Sequence, residues 1–190
     1  MAKTYGTTRI FQPSIRSRTS AYKEFKEKLG SGNYDESCSY YSKKSGGYLL
    51  VIGQQKRDIA EIEAARAMAN DGLLVIMTPE GGIEFRTGKS RKGGFTYADG
   101  IVNGFTYEQK TPNPGSNNDA KLANSVDNAL QHAQDKSCQI PLIYDRYGKF
   151  HREHIEKGLA QYESCSNYRF KAILVIDRNG NVWEHRHNKK

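Results

Sequence analysis

The stretch YADGIVNGFTYEQKTPN, residues 97–113, decides the fold because it predicts two β-strands joined by a tight turn at Asn103-Gly104. Asparagine and glycine tolerate the positive φ angles that a two-residue hairpin turn requires, and the twist of such a turn matches that of the strands. Counting outward from this turn places Asp99 opposite Glu108. Directly opposed side chains project to the same face of a sheet, with Cβ atoms roughly 4.5–5.5 Å apart. The hairpin therefore predicts two neighbouring carboxylates.

Two carboxylates at this spacing repel each other. At about 5 Å and an effective dielectric constant of about 20, Coulomb's law gives a repulsion of roughly 3 kcal/mol. Exposure to water, a raised pKa of one acid or a bound cation would relieve it. Lys110 lies two residues beyond Glu108 and so points to the same face. Two carboxylates that share a divalent cation beside a lysine can hydrolyse phosphodiesters, because the metal polarises the phosphoryl oxygen and activates bound water.

A simpler alternative is an exposed hairpin whose acids pair with nearby lysines. The site also depends on the two-residue turn, since a β-bulge or a longer loop through Gly100 would shift the register by one residue and separate the acids. The relative position of the carboxylates of Asp99 and Glu108 therefore tests the hypothesis.

The segments on either side of the hairpin predict a mixed central sheet flanked by helices, and thus an α/β fold. On the N-terminal side, YLLVIG and LLVIM are predicted strands that enclose a helix opening at Asp58, and IEF is a further short strand. On the C-terminal side, Asp119 is placed to cap a helix, PLIYD is a strand, and KFHREHIEKGLAQYES is another helix. A last hairpin, formed by KAILVID and NVWEHR, closes the chain.

The chain divides into a basic N-terminal extension, residues 1–46, and a main domain, residues 47–190. The extension contains one amphipathic segment, SAYKEFKEKLG, which predicts a short helix with Ser20 as its N-cap and Gly30 at its end. Its basic residues and tyrosines would suit contact with a phosphate backbone or with bases. A solvated extension without a binding role is the alternative.

Composition narrows the class of protein. The chain has 12 tyrosines, which argue against disorder. Its net charge of +8 suits a polyanionic partner, although solubility alone explains many basic proteins. The 3 cysteines lack CxxC spacing, which excludes a zinc site and favours reduced thiols. Neither a membrane-spanning run nor a secretory signal is recognisable. We therefore expect a cytoplasmic site of action without membrane contact, and the delivery route stays open.

Two groups of side chains are candidates for a supporting role near the hairpin. Lys89, Arg91 and Lys92 lead directly into it, close enough in sequence to bind substrate phosphates, although a solvated loop is equally compatible with them. His132 is expected on a helix surface, where a site next to Gln131 could recruit it. The other histidines lack the spacing of a zinc site.

Asp99, followed after eight residues by Glu108-Gln109-Lys110, resembles the signature of the PD-(D/E)XK nuclease superfamily, with Ala98 in place of the proline of the motif. The order of the predicted elements is similar to the αβββαβ restriction-endonuclease-like core of that superfamily. More narrowly, EAARAMANDG, YEQKTP and DNALQHAQDK resemble parts of the nuclease domains at the C-termini of contact-dependent growth-inhibition toxins and related phage-borne proteins.

This resemblance implies a set of site residues. Asp99, Glu108 and Glu63 would bind Mg²⁺ or Mn²⁺, and Lys110 would be the catalytic lysine. Glu63 matches the metal-binding glutamate of the toxin nucleases, about nine residues before the glycine that ends the helix, with Glu61 as a nearby competitor. The resemblance of the later helix implies two secondary residues that would bind substrate, Gln131 and Gln134.

The resemblance implies the function of a divalent-metal-dependent nuclease, with RNA, and tRNA in particular, slightly preferred to DNA as substrate. If the nuclease acts as a toxin, an acidic immunity protein is the expected partner of so basic a chain. A non-catalytic nucleic-acid-binding protein that retains the nuclease fold is the first alternative. An interaction module whose basic surface binds an acidic protein is the second. The resemblance covers roughly residues 47–180 and leaves residues 1–46 unexplained.

Overall fold

The computed structural model describes residues 17–53, 57–78, 98–113, 115 and 118–185, which form one eight-stranded sheet and four helices. The helices are α1 (Arg18–Gly30), α2 (Ile59–Asn70), α3 (Asp119–Asp135) and α4 (Arg152–Cys165). The strands are β1 (Tyr40–Tyr41), β2 (Tyr48–Val51), β3 (Leu74–Met77), β4 (Gly100–Val102), β5 (Phe105–Lys110), β6 (Ile140–Tyr144), β7 (Ile173–Ile176) and β8 (Val182–His185). The predicted mixed sheet with flanking helices is confirmed. Within these residues, no helix is both long and apolar enough to cross a membrane.

The strands lie side by side in the order in which they occur in the sequence. The pairs β2–β3, β5–β6 and β6–β7 are parallel, and the other neighbouring pairs are antiparallel. A parallel pair requires a crossover connection, and α2, α3 and α4 provide the three crossovers. Short turns join the antiparallel pairs β4–β5 and β7–β8.

The two faces of the sheet carry separate hydrophobic cores. On one face, Ala64 and Met68 of α2 belong to the same core as Leu142 of β6. On the other, Val126 of α3 shares a core with Ile143 of that strand and with residues of α4. Adjacent residues of a strand point to opposite faces, which is why Leu142 and Ile143 belong to different cores. We call these surfaces the α2 face and the α3 face.

The β4–β5 hairpin has the predicted turn and register. Val102 pairs with Phe105 and Gly100 pairs with Tyr107, and the two turn residues have φ angles of 47° and 87°. The Oδ1 atom of Asn103 accepts a hydrogen bond of 2.8 Å from a backbone amide of β3. The turn therefore also fastens the hairpin to the neighbouring strand.

The regular ladder between β4 and β5 ends before it reaches Asp99. The amide of Asp99 donates to the carbonyl of Tyr107 at 3.1 Å, although Tyr107 is already the ladder partner of Gly100. The predicted regular pair of Asp99 with Glu108 is therefore wrong. Glycine is required at position 100, because a Cβ atom there would lie 2.6 Å from the ring of Tyr107.

The N-terminal part of the described chain packs onto the sheet. Phe25 of α1 shares a core with Tyr48 and Leu50 of β2, and β1 pairs with β2 in the antiparallel direction. The expected domain boundary after residue 46 therefore falls in the loop that joins these two strands.

Two helix caps differ from those predicted. The Oγ atom of Ser17 accepts a hydrogen bond from the amide of Ser20, so Ser17 is the N-cap of α1 and Ser20 lies inside the helix. The Oδ1 atom of Asn118 bonds two amides in the first turn of α3, so Asn118 is the N-cap and Asp119 is the first helical residue. In both cases a polar residue further upstream provides the cap.

Candidate active site

The candidate site is centred on Glu108 of β5, whose side chain lies on the α3 face and is almost fully buried. A buried carboxylate is unfavourable unless it is paired and hydrogen-bonded. Lys136, at the C-terminal end of α3, provides the partner, because its Nζ atom lies 2.7 Å from each carboxylate oxygen of Glu108. The acid is therefore held by a contact between β5 and the end of α3.

Asp99 lies beside this ion pair. Its Oδ2 atom accepts a hydrogen bond of 2.7 Å from the amide of Gln109, the residue after Glu108 on β5. Its Oδ1 atom lies 3.8 Å from the Nζ atom of Lys136. Because one ammonium group contacts both acids, their carboxylates lie on the same side of the sheet. The structure thus brings Asp99 and Glu108 together, although they are not a regular ladder pair.

Two further side chains approach Glu108. The Nζ atom of Lys110 lies 3.4 Å from the Oε1 atom of Glu108, on the face that side-chain alternation predicts. The Nδ1 atom of His132 lies 3.0 Å from the same oxygen. Despite this short distance, the Nδ1 atom of His132 is not aligned for a hydrogen bond, and it has no hydrogen-bond partner in the described part of the chain. Lys110, His132 and Lys136 therefore surround one carboxylate.

Burial raises the pKa of Glu108 from its ordinary value of 4.5 to about 7, and the charge of Asp99 adds to the effect. The hydrogen bond and the charge of Lys136 act in the opposite direction. Burial lowers the pKa of Lys136, but the hydrogen bond to Glu108 and the two acidic charges outweigh burial and raise the pKa. Burial and the neighbouring lysines lower the pKa of His132. Lys136 is therefore the stable cation, and Glu108 exchanges its proton near neutral pH.

The first turn of α2 lies close to the same region. The Nε2 atom of Gln109 donates to the carbonyl of Ala60 at 3.1 Å, which joins β5 to the start of α2. Burial raises the pKa of Tyr107, and the charges of Asp99 and Glu61 raise it further. Tyr107 belongs to the core on the α2 face, whereas the next residue, Glu108, lies on the α3 face. Glu61, the competitor of Glu63 in the sequence, is thus a glutamate of α2 whose charge acts on Tyr107, the residue before Glu108 on β5.

Glu63 binds a different group of residues. Its carboxylate accepts hydrogen bonds from the hydroxyl of Tyr144 at 3.2 Å and from Nη2 of Arg146 at 3.1 Å, and the Nε atom of Arg146 lies 2.9 Å away. With about 3.6 residues per helical turn, Glu61 and Glu63 point in nearly opposite directions. Among the described residues, the contacts of Glu63 join α2 to the end of β6 and not to the acids of the hairpin.

The glutamines predicted to bind substrate point away from the site. Gln131 is exposed and bonds Asp127, one turn earlier on α3. The Oε1 atom of Gln134 accepts hydrogen bonds from the hydroxyl of Tyr162 at 2.6 Å and from that of Ser166 at 2.8 Å. Gln134 therefore contributes to the packing of α3 against α4. The basic residues predicted to bind substrate phosphates, Lys89, Arg91 and Lys92, lie outside the described residues. The predicted strand at residues 83–85 lies outside them as well.

Helix α3 presents His132 and Lys136 to the site instead. These residues are one helical turn apart and therefore share a face of the helix. Their spacing is visible in the sequence, but it indicates a site only when α3 is known to lie over β5. Lys136 was missed because it lies 28 residues from Glu108 along the chain.

The acid pair suits a divalent cation. Mg²⁺ prefers oxygen ligands and is usually held by one or two carboxylates together with water and substrate phosphates, and Asp99 and Glu108 supply two carboxylates. In the structure, the ammonium group of Lys136 provides one positive charge beside both acids. The described ranges contain no cluster of three or more histidine, cysteine, aspartate or glutamate side chains that could hold a metal ion. A cation here would therefore be held by the two acids and water, and a phosphate of the substrate would add a further ligand.

No protein-family model matches the chain, and no curated protein matches it. Among solved structures, the chain is similar to a CdiA-CT/CdiI toxin and immunity complex from Burkholderia pseudomallei. The two chains are 18% identical, the similarity covers 72% of this chain and 98% of the other, and the TM-score is 0.48. A likeness of this size carries neither activity nor partner over to the present chain, so the proposals below rest on its own sequence motifs and on the geometry of its side chains.

Proposed function

We propose that the protein is a divalent-metal-dependent nuclease that hydrolyses phosphodiester bonds. The observation that supports this most is the convergence of Asp99 and Glu108 on one ammonium group, with Lys110 3.4 Å from Glu108. The succession α2–β3–β4–β5–α3–β6 also has the order of the αβββαβ core of the nuclease superfamily that the hairpin motif resembles. Motif, site geometry and element order therefore support the same proposal.

In this proposal, Asp99 and Glu108 hold Mg²⁺ or Mn²⁺ through their carboxylate oxygens. When bound, such an ion polarises a phosphoryl oxygen and lowers the pKa of a coordinated water. The amide of Gln109 orients Asp99, because it donates to the Oδ2 atom of that carboxylate. Lys110, whose side chain is 38% exposed, binds a phosphate oxygen of the substrate and stabilises the negative charge that develops there.

The supporting acid of the site is proposed to be Glu61 rather than Glu63. The first turn of α2 is hydrogen-bonded to β5, and the charges of Asp99 and Glu61 add to burial in raising the pKa of Tyr107. Glu63 is already paired with Arg146. Glu61, whose charge acts on Tyr107 of the hairpin, is therefore the better candidate.

RNA, and tRNA in particular, is the proposed substrate, with DNA as the alternative polymer. A polyanion suits a chain of net charge +8, and Lys110 and Lys136 place two basic side chains beside the acids. The resemblance of the hairpin and of α2 to toxin nucleases further supports a role as a toxin. The basic charge of the chain supports an acidic immunity protein as the partner that inactivates it.

A cleavage assay tests the nuclease proposal. Purified protein is incubated with tRNA, unstructured RNA, and single- and double-stranded DNA, each in Mg²⁺, Mn²⁺ or EDTA. We expect cleavage of at least one polymer with a divalent cation and no cleavage in EDTA. Asp99→Asn and Glu108→Gln should each lower the rate at least about 100-fold, because even a group that supports a metal ligand contributes about 10–100-fold.

The matched control is Glu27→Gln, which removes a carboxylate from the exposed surface of α1 and should leave the rate unchanged. Circular dichroism should show that every variant is folded. Equal rates for wild type and Asp99→Asn on every polymer would contradict the proposal. Binding of nucleic acid without cleavage would support the non-catalytic binding protein in its place.

A further inference from the structure

Lys136 lies where the two candidate acids converge. Its Nζ atom is 2.7 Å from each carboxylate oxygen of Glu108 and 3.8 Å from the Oδ1 atom of Asp99. Lys110, in contrast, approaches one oxygen of Glu108 at 3.4 Å. The ammonium group of Lys136 thus has the position that a cation shared by both carboxylates would need.

This position has an electrostatic reason. The side chain of Glu108 is 1% exposed, and a buried carboxylate that loses its partner strongly destabilises a protein. Asp99 adds a second negative charge nearby, and its repulsion further disfavours the ionised form of Glu108 unless a positive charge lies beside both acids. Among the described side chains, it is Lys136 that contacts both acids.

We propose that Lys136 is a built-in counter-ion that holds the acid pair in the metal-free protein and is displaced when a divalent cation binds there. This inference rests on the proposed nuclease function, because it takes the acid pair to be a cation site. Two cations cannot share one position, since like charges at contact distance repel. Lys136 therefore competes with the metal ion for Asp99 and Glu108.

The side chain of Lys136 can leave the acids without unfolding α3. The residue is the C-cap of the helix, and its side chain is 32% exposed, so rotation about its flexible stem brings the ammonium group into water. The incoming cation replaces the positive charge that the acids lose. Lys136 thus has two effects, since it keeps the acids in place before the ion arrives and weakens their affinity for it.

The proposal predicts that removing this charge strengthens cation binding. Mn²⁺ affinity is measured by isothermal titration calorimetry, without nucleic acid, for wild type, Lys136→Met and Lys136→Gln. Both variants should bind Mn²⁺ at least about tenfold more tightly than wild type, because no ammonium group competes for the carboxylates.

Thermal unfolding provides a second readout on the same proteins. In EDTA, both variants should have a lower Tm than wild type, because Glu108 loses its partner. Saturating Mn²⁺ should raise the Tm of each variant by more than it raises that of wild type, because tighter binding to the folded state stabilises it more. A variant that folds only when Mn²⁺ is present would also support the proposal.

Two control variants complete the experiment. Lys136→Arg keeps the positive charge and should bind Mn²⁺ no more tightly than wild type. Lys121→Met, at an exposed position near the start of α3, should have wild-type affinity. Mn²⁺ affinities of Lys136→Met and Lys136→Gln equal to or below that of wild type would overturn the inference and leave the nuclease proposal standing. Failure of every protein to bind Mn²⁺ would overturn both.

Discussion

The carboxylate of Glu108 is buried beside Asp99 and is contacted by three basic side chains, Lys110, His132 and Lys136. Burial and Asp99 disfavour the charged form of Glu108, Lys136 favours it, and the resulting pKa is about 7. A carboxylate in this balance binds a cation when it is ionised and can take up a proton when no cation is present. The stability of the protein is therefore coupled to the charge of this one residue.

Metal-free protein should lose stability as the pH rises from about 4.5 to about 7. Because burial raises the pKa of Glu108 from 4.5 to about 7, the folded protein holds a proton in this range that the unfolded chain releases. The stability that the proton on Glu108 contributes is therefore complete below pH 4.5 and lost above about pH 7. Denaturant unfolding in EDTA at about pH 5 and about pH 7.5 measures the change. Glu108→Gln should show a smaller loss than wild type, and equal losses would contradict this assignment.

How far the sequence predicts the site depends on separation along the chain. Asp99, Glu108 and Lys110 belong to one hairpin, whose register follows from a turn and from side-chain alternation. Even there the regular pair of Asp99 with Glu108 was wrong, because the amide of Asp99 bonds the carbonyl of Tyr107. Lys136 approaches from a later helix, and no local rule states which face of that helix covers β5.

Three elements meet at the site. The β4–β5 hairpin carries Asp99 and Glu108, the end of α3 carries Lys136, and the start of α2 is hydrogen-bonded to β5 through Gln109. The Asn-Gly turn predicted the hairpin, and apolar periodicity predicted the two helices. Apolar periodicity did not show which turn of each helix reaches the hairpin, because that depends on packing across the sheet. The choice between the two glutamates of α2 is the clearest consequence.

For α2, we expect Glu61→Gln to reduce cleavage more than Glu63→Gln does. The loss for Glu61→Gln should be about 10–100-fold, the range for groups that support a metal ligand. Glu63→Gln should mainly lower the free energy of unfolding, by up to about 1 kcal/mol, because it breaks a partly exposed ion pair with Arg146. Initial rates and denaturant midpoints separate the two effects. The opposite order of rates would return the third acid to Glu63.

The described chain, from α1 to β8, builds a single sheet with helices on both faces. Helix α1 and strand β1, which were expected to belong to an extension, pack against β2. Composition could not show this, because a short basic helix with few apolar residues suits a solvated arm as well as a packed element. The contacts of Phe25 with the sheet decide between them.

The net charge of +8 predicts that nucleic-acid binding weakens steeply with salt. Binding of Asp99→Asn to single-stranded RNA in EDTA separates affinity from cleavage. The logarithm of the association constant should fall linearly with the logarithm of the salt concentration, with a slope of about −0.7 for each phosphate contacted. Fluorescence anisotropy over a salt series measures the slope. No binding at low salt would favour the interaction module whose partner is an acidic protein.

The central claim is that Asp99 and Glu108 share a divalent cation, and locating that ion tests it most directly. Crystals grown with saturating Mn²⁺ would be measured for anomalous scattering. We expect a peak between the two carboxylates, at roughly 2.0–2.4 Å from an oxygen of each, with the ammonium group of Lys136 moved away. Lys136 still in contact with both acids, and no anomalous peak between them, would contradict the claim.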